Sequence, residues 1–275
     1  MRRPLLLTGL LLAGMGAVAA CGSGARTGAT GQFRSAHAGT LTVATAFFPA
    51  PGFWEGTPSV PTGGLEWDLA GTLAKRFHLT RVSVELVPFA DLVAGRLHGA
   101  DLALSELTPT AARRKVLDFT APYLLAPPGV VVRPTTRTPD EAALRALRWV
   151  AVKGSTLTDI VNNQVRPSRP ALEVNGRPQA LSAIRGDAAD AMLLDLPVAV
   201  ALAKAEPSTY KVTAQLAGTE GLAVALPRHS RNVNAIDTAI RALVADGTVD
   251  KLSARWLGVE LSTGDSKLPL IRTEH

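Results

Sequence analysis

The sequence predicts an α/β protein built on mainly parallel sheets flanked by helices. Three observations carry that expectation. Short apolar runs alternate along the chain with segments whose apolar residues recur at helical spacing. The 275 residues, 47% of them hydrophobic, suffice for one large core or for two lobes of roughly 100 residues each. A charged fraction of 19% fits neither a disordered chain nor a coiled coil. The formal net charge is +6, yet the basic residues are dispersed, and the longest Lys/Arg run is Arg113-Arg114-Lys115. Without a basic stripe interleaved with aromatics, no nucleic-acid partner is expected.

From the N-terminus, Arg2 and Arg3 precede an apolar stretch over residues 5–20 that ends in small residues, the anatomy of an export signal. The stretch is short and rich in Gly and Ala for a permanent membrane span. The single cysteine, Cys21, follows directly in Val18-Ala19-Ala20-Cys21, which resembles a bacterial lipobox. The competing readings are a buried thiol and an incidental cysteine at an ordinary cleavage site. We therefore expect a signal peptide over 1–20, lipid on Cys21, and a flexible tether over 21–38. One cysteine allows no internal disulfide, so the exported fold rests on its core.

The body opens with a strand at Leu41-Thr42-Val43. Leu65, Leu69, Leu73 and Phe77 form an amphipathic helical stripe. Residues 82–87 alternate as a strand, a short helix is expected over 92–97, and Leu102-Ala103-Leu104 reads as a further strand. More strands are expected at Val130-Val131-Val132, 149–152, 191–194 and 222–226, with helical patterns between most of them. Val233, Ile236, Ile240 and Leu243 mark a helix that stops at Asp246-Gly247. Thr248 is a candidate cap for the last helix, whose Val249, Leu252 and Trp256 face inward.

Ligands of open α/β sheets bind beyond the carboxyl ends of the strands, and several such ends carry polar residues. After Leu104 come Ser105, Glu106, Leu107, Thr108 and Pro109. Thr108 suits an N-cap and Pro109 a first turn, and such a helix start attracts an anion that Arg113 can grip. The same pattern fits an ordinary capped helix with a solvated arginine. After 149–152 comes Lys153-Gly154-Ser155-Thr156, a donor-rich loop without Walker spacing. After 191–194 comes Asp195, which fits an ammonium partner or a cap for the following helix.

From Gly39 to about Gly258 the body resembles the family 3 extracellular solute-binding proteins, the amino-acid-binding components of ABC importers. The resemblance runs through Gly64-Leu65-Glu66-Trp67-Asp68-Leu69, the Gly95 to Asp101 segment, and Thr108-Pro109-Thr110-Ala111-Ala112-Arg113. It continues through Asp118-Phe119-Thr120-Ala121-Pro122-Tyr123, Gly154-Ser155-Thr156, Asp190 with Asp195, and Ala245-Asp246-Gly247-Thr248 ending at Trp256-Leu257-Gly258. It implies a two-lobed periplasmic-binding-protein type II fold. Lobe one would comprise 39–126 plus 225–275, and lobe two 127–224. It further implies that Arg113 binds an α-carboxylate, helped by Thr108 and amides near Ser105. Ser155 and Thr156 would add donors, and Asp195 would hold the α-ammonium. Glu66 and Asp68 are read as mainly structural.

Two departures bear on the ligand. Ala46, Phe47 and Phe48 follow the first strand where the family often has Asp, and Glu106 stands where it usually has Gly, Ser or Asn. Glu106 would either meet a cationic ligand or pair with Arg113. Phe48, Phe53, Trp54 and Phe89 are candidate walls for the ligand side chain, or plain core. No cofactor, metal or catalytic residue is expected. The implied partners are a small amino-acid-like ligand, an ABC permease and the membrane that receives the lipid, with the chain monomeric. The alternatives are an enzyme resembling cyclohexadienyl dehydratases, with Glu106 or Glu220 as proton donor, and a transporter-independent sensor lipoprotein.

Overall fold

The computed structural model describes residues 33–138, 140–218, 221–258 and 268–273. Cys21, the export signal and Glu220 lie outside them. The first strand, β1 (Thr40–Thr45), is buried along its whole length. A hairpin follows, β2 (Glu55–Thr57) with β3 (Val60–Gly63), and leads into α1 (Leu65–Arg76). Gly64 makes that entry possible: its φ is +116°, and a Cβ there would lie 2.1 Å from the Phe53 carbonyl oxygen. The helix buries Leu65, Leu69 and Leu73 completely, each contributing about 1.5–3 kcal/mol.

Next come β4 (Arg81–Leu86), α2 (Phe89–Val93) and β5 (Leu102–Ala103). The helix expected over 92–97 thus starts and ends earlier, because Gly95 turns the chain at φ +84°. The nine-residue β6 (Leu117–Leu125) was not expected; it is followed at once by β7 (Pro128–Val132). Then come α3 (Glu141–Ala146), β8 (Val150–Val152), α4 (Thr156–Ile160) with a π-helical continuation to Val165, and β9 (Leu172–Val174). After these lie α5 (Arg177–Arg185), β10 (Ala191–Asp195), α6 (Leu196–Ala205) and β11 (Lys211–Leu216). The chain closes with β12 (Gly221–Pro227), α7 (Val233–Ala245), α8 (Thr248–Leu257) and β13 (Leu270–Ile271).

The strands form a five-stranded sheet in the order β4-β1-β5-β12-β6 and a four-stranded sheet in the order β10-β7-β11-β13. Parallel pairing holds for β1 with β4 and β5, and for β8 with β9. The strands flanking the crossings run antiparallel instead: β12 to β5 and β6, and β7 to β10 and β11. The reason is topological. The chain leaves the first sheet along β6 and returns along β12, so these neighbours run in opposite senses. Each sheet anchors one lobe. Val130, Val131 and Val132 are fully buried, as befits a central strand covered on both faces.

Three expectations are corrected. The C-terminal tail does not end in lobe one, because Gln215 and Leu216 of β11 pair with Leu270 and Ile271. The end of the expected tether is fixed to the body. Phe33 stacks on Phe77, Arg34 and Asn232 exchange hydrogen bonds, and the Ala36 amide donates to Asp101 at 2.6 Å. Thr248 does not cap α8; Gly247 takes that position at φ +74°, and Asp246 accepts the Thr248 amide.

Candidate functional site

A cleft partly open to solvent lies between the lobes. Its walls come from the carboxyl ends of strands in the five-stranded and four-stranded sheets and in the separate parallel pair β8-β9. Phe47 follows β1, Phe89 follows β4, and Glu106, Thr108 and Arg113 follow β5. From the other side come Ser155, Thr156 and Thr158 after β8, Arg177 after β9 and Asp195 ending β10. Apolar surface from Val150, Val152, Leu157 and Met192 lines the rest.

The segment from Ser105 to Thr108 is strapped on three sides. The Ser105 hydroxyl accepts the Ala46 amide at 2.9 Å, which joins the loops after β1 and β5. Glu66 Oε1 accepts the Glu106 amide at 2.8 Å, and the Leu107 carbonyl accepts the Ala223 amide at 2.9 Å. Glu106 adopts φ +51°, a left-handed backbone that a non-glycine residue keeps only when its surroundings hold it. Glu66 is the holder. Its carboxylate is fully buried and also accepts Trp54 Nε1 and the Tyr123 hydroxyl, both at 2.5 Å. Burial first, and then the charge of Glu106, push its pKa up to about 7 against the opposing pull of those donors. The same surroundings push the Tyr123 hydroxyl well above its ordinary value, burial again being the main cause.

Arg113 is 7% exposed and reaches across the cleft. Its guanidinium donates to the Thr108 carbonyl at 2.9 Å and to the Gly154 carbonyl at 3.0 Å, and sits 5.7 Å from the centre of the Phe89 ring. The first bond joins neighbours; the second links the lobes. The helix expected to begin at Thr108-Pro109 is absent; the Thr108 carbonyl, which would take a backbone amide one turn on in such a helix, accepts the Arg113 guanidinium instead. One 3-10 turn, Arg113–Lys115, forms instead, and Thr110 Oγ1 accepts the Arg113 amide at 3.1 Å.

Asp195, 8% exposed, occupies the N-cap position of α6, but its side chain makes no capping bond to that helix. The capping reading is thereby set aside. Ser155 does cap α4, its oxygen accepting the Leu157 amide at 3.2 Å, and Thr156 follows into the cleft wall.

Glu106 meets neither of the partners expected of it. Arg177, the first residue of α5, donates through both terminal nitrogens to the Glu106 carboxylate, one of them at 3.2 Å. The guanidinium also lies 3.9 Å from the Phe47 ring centre. Arg177 and Phe47 are the functional residues that sequence reasoning missed. Gly176-Arg177-Pro178, with Pro just inside a helix start, was the available signal, but β9 before it was not recognised.

Ser105 and Phe48 do not line the cleft. Ser105 is 1% exposed, its hydroxyl oxygen accepting the Ala46 amide, and Phe48 packs against Trp54 at 5.6 Å between ring centres. Phe53 and Trp54 are fully buried core. Of the expected aromatic walls, Phe89 alone holds its place in the cleft. Among the described residues no cluster of His, Cys, Asp or Glu could hold a metal ion, and no helix is long and apolar enough to cross a membrane.

Two α/β lobes that place buried, oppositely charged side chains around one cleft at their strand ends define the class of two-lobed solute-binding proteins. Residues 49–259 match the model of the bacterial extracellular solute-binding proteins, family 3, and the chain belongs to that family. It is 26% identical over 235 residues to the L-cystine-binding protein TcyJ of Escherichia coli K12, covering 82% of this chain and 85% of the relative. Among solved structures, it resembles the solute receptor for L-cysteine of Neisseria gonorrhoeae. That likeness has a TM-score of 0.70 at 23% identity over 83% of this chain and 94% of the receptor. An ancestral arginine-binding protein bound to glutamine gives 0.69 at 25% identity, over 80% and 99% of the two chains. These solved structures share the two-lobed fold.

Proposed function

We propose that this chain is the extracytoplasmic solute-binding component of an ABC importer. It takes a small α-amino acid between its lobes and presents the closed form to a membrane permease. The observation that carries the reading is the pairing of Arg113 and Asp195, 7% and 8% exposed, in the wall of one cleft from opposite lobes. A buried zwitterion requires a fixed cation for its carboxylate and a fixed anion for its ammonium, since an unpaired buried charge is costly. Arg113 serves the first and Asp195 the second, with hydroxyls from Thr108 and Thr156 alongside. The ligands of the relatives, cystine, cysteine and arginine, all carry that zwitterion.

The hinge of this reading is the pair of connections between the sheets, one joining β6 to β7 and the other joining β11 to β12. The protein works as a monomer, held at the outer membrane face by lipid on Cys21. The decisive experiment is a thermal-shift screen of α-amino acids followed by small-angle scattering. A hit should stabilise the fold by about 2.7 kcal/mol at a hundredfold excess over Kd, read as a raised melting temperature, and should shrink the radius of gyration. Binding without compaction would refute the two-lobe trap.

A further inference from the structure

We infer that Arg177 is a built-in occupant of the cleft's own cation subsite, so that the ligand is an α-amino acid whose side chain carries no net positive charge. The inference rests on the proposed amino-acid-binding reading and specifies its substrate class.

An aromatic face beside a buried carboxylate is the environment that binds a guanidinium or ammonium group. The cleft contains one such pair beyond the Asp195 region: Phe47 after β1 and Glu106 after β5, the Glu106 side chain being 1% exposed. Both belong to lobe one. Their cation comes from lobe two, since Arg177 lies 3.9 Å over the Phe47 ring and forks onto both Glu106 oxygens. The Arg177 side chain is 13% exposed, so solvent does little to screen the pair. An incoming lysine or arginine side chain would have to displace a guanidinium that already makes every contact the subsite offers. It would also leave that displaced charge confined in the cleft. A neutral side chain, or a distal zwitterion such as that of cystine, meets no such competition. Glu66 fixes the arrangement from behind, because its bond to the Glu106 amide holds the backbone turn that aims the carboxylate at Arg177.

The test compares the parent with Arg177→Ala and with Arg177→Gln, which keeps length but loses charge. L-arginine, L-lysine, L-glutamine, L-cystine and methylguanidinium are titrated by calorimetry and thermal shift. The parent should bind a neutral amino acid at least about tenfold more tightly than L-arginine, and should ignore methylguanidinium. Both variants should gain methylguanidinium and L-arginine binding by about thirtyfold or more, the low end for one partner of a buried charged pair. Adding Glu106→Gln should erase the gain. The inference is overturned if the parent binds L-arginine as well as it binds neutral amino acids. It is also overturned if neither variant gains affinity for either guanidinium compound. If methylguanidinium binds the variants while no amino acid binds any of the proteins, the cation subsite stands and the amino-acid reading falls.

Discussion

Glu66→Gln tests how the core sets the shape of the site. Glu66 receives three donors, from Trp54, Tyr123 and the Glu106 backbone, in a position with no exposure at all. A glutamine of the same shape can keep its oxygen toward the Tyr123 hydroxyl and the Glu106 amide. Its NH₂ then confronts Trp54 Nε1, and one buried donor loses its acceptor at a cost of about 1–3 kcal/mol. Against that cost, the charge that burial and Glu106 both disfavour is gone.

The two effects separate with pH. The native carboxyl titrates near 7 rather than at its ordinary 4.5. Between those values the folded protein holds a proton that the unfolded chain has released, so stability is fullest below 4.5 and falls as pH rises to about 7. The shift corresponds to about 3 kcal/mol. Urea unfolding of the parent, followed at pH values from 5 to 8, should therefore show stability declining by up to that amount. Glu66→Gln should lack this decline, and the difference between the two proteins isolates it from all other titrating groups. A parent curve and a variant curve that run parallel would refute the reasoning. They would mean that the three donors outweigh burial and keep Glu66 charged throughout.

Arg113→Ala and Asp195→Ala should each weaken binding of the screened amino acid by about 2–5 kcal/mol in calorimetry, as removal of one partner from a buried charged contact does. Unchanged affinity in both would remove the zwitterion clamp. Gly64→Ala should cost about 3 kcal/mol of stability or more, read as a lower urea midpoint, because its φ of +116° and the Phe53 carbonyl 2.1 Å from a Cβ leave no relaxed position. Cys21→Ala should release the protein from membranes into the soluble fraction; equal retention of parent and variant would refute lipid anchoring.

Much of lobe one was legible because its elements follow their own periodicity. The Leu65, Leu69 and Leu73 stripe became α1 with those residues fully buried, and the alternation over 82–87 became β4 within a residue. What stayed hidden lies where tertiary contacts overrule local pattern. Thr108-Pro109 has every local mark of a helix start, yet the Thr108 carbonyl is taken by the Arg113 guanidinium and only the single turn Arg113–Lys115 forms. Ser105 looks like a ligand donor because it follows a strand, yet it is buried beside the loop after β1, where its oxygen accepts the Ala46 amide, and it does not line the cleft. Arg177 shows the limit most plainly. In sequence it is a basic residue 71 positions from Glu106, on the far side of a strand with no strong apolar signal. A charge's partner across a cleft is set by how two lobes meet, a property that neither lobe's sequence pattern contains. Glu106 itself was legible as an anomaly, a carboxylate where small residues are usual. Burying it requires compensation, and that requirement alone predicts a cation nearby without saying whether ligand or protein supplies it. The fold supplies it from α5. The residue that departs from the family pattern and the residue that neutralises it are thus one unit, and removing either charge alone should cost more folding stability than removing both.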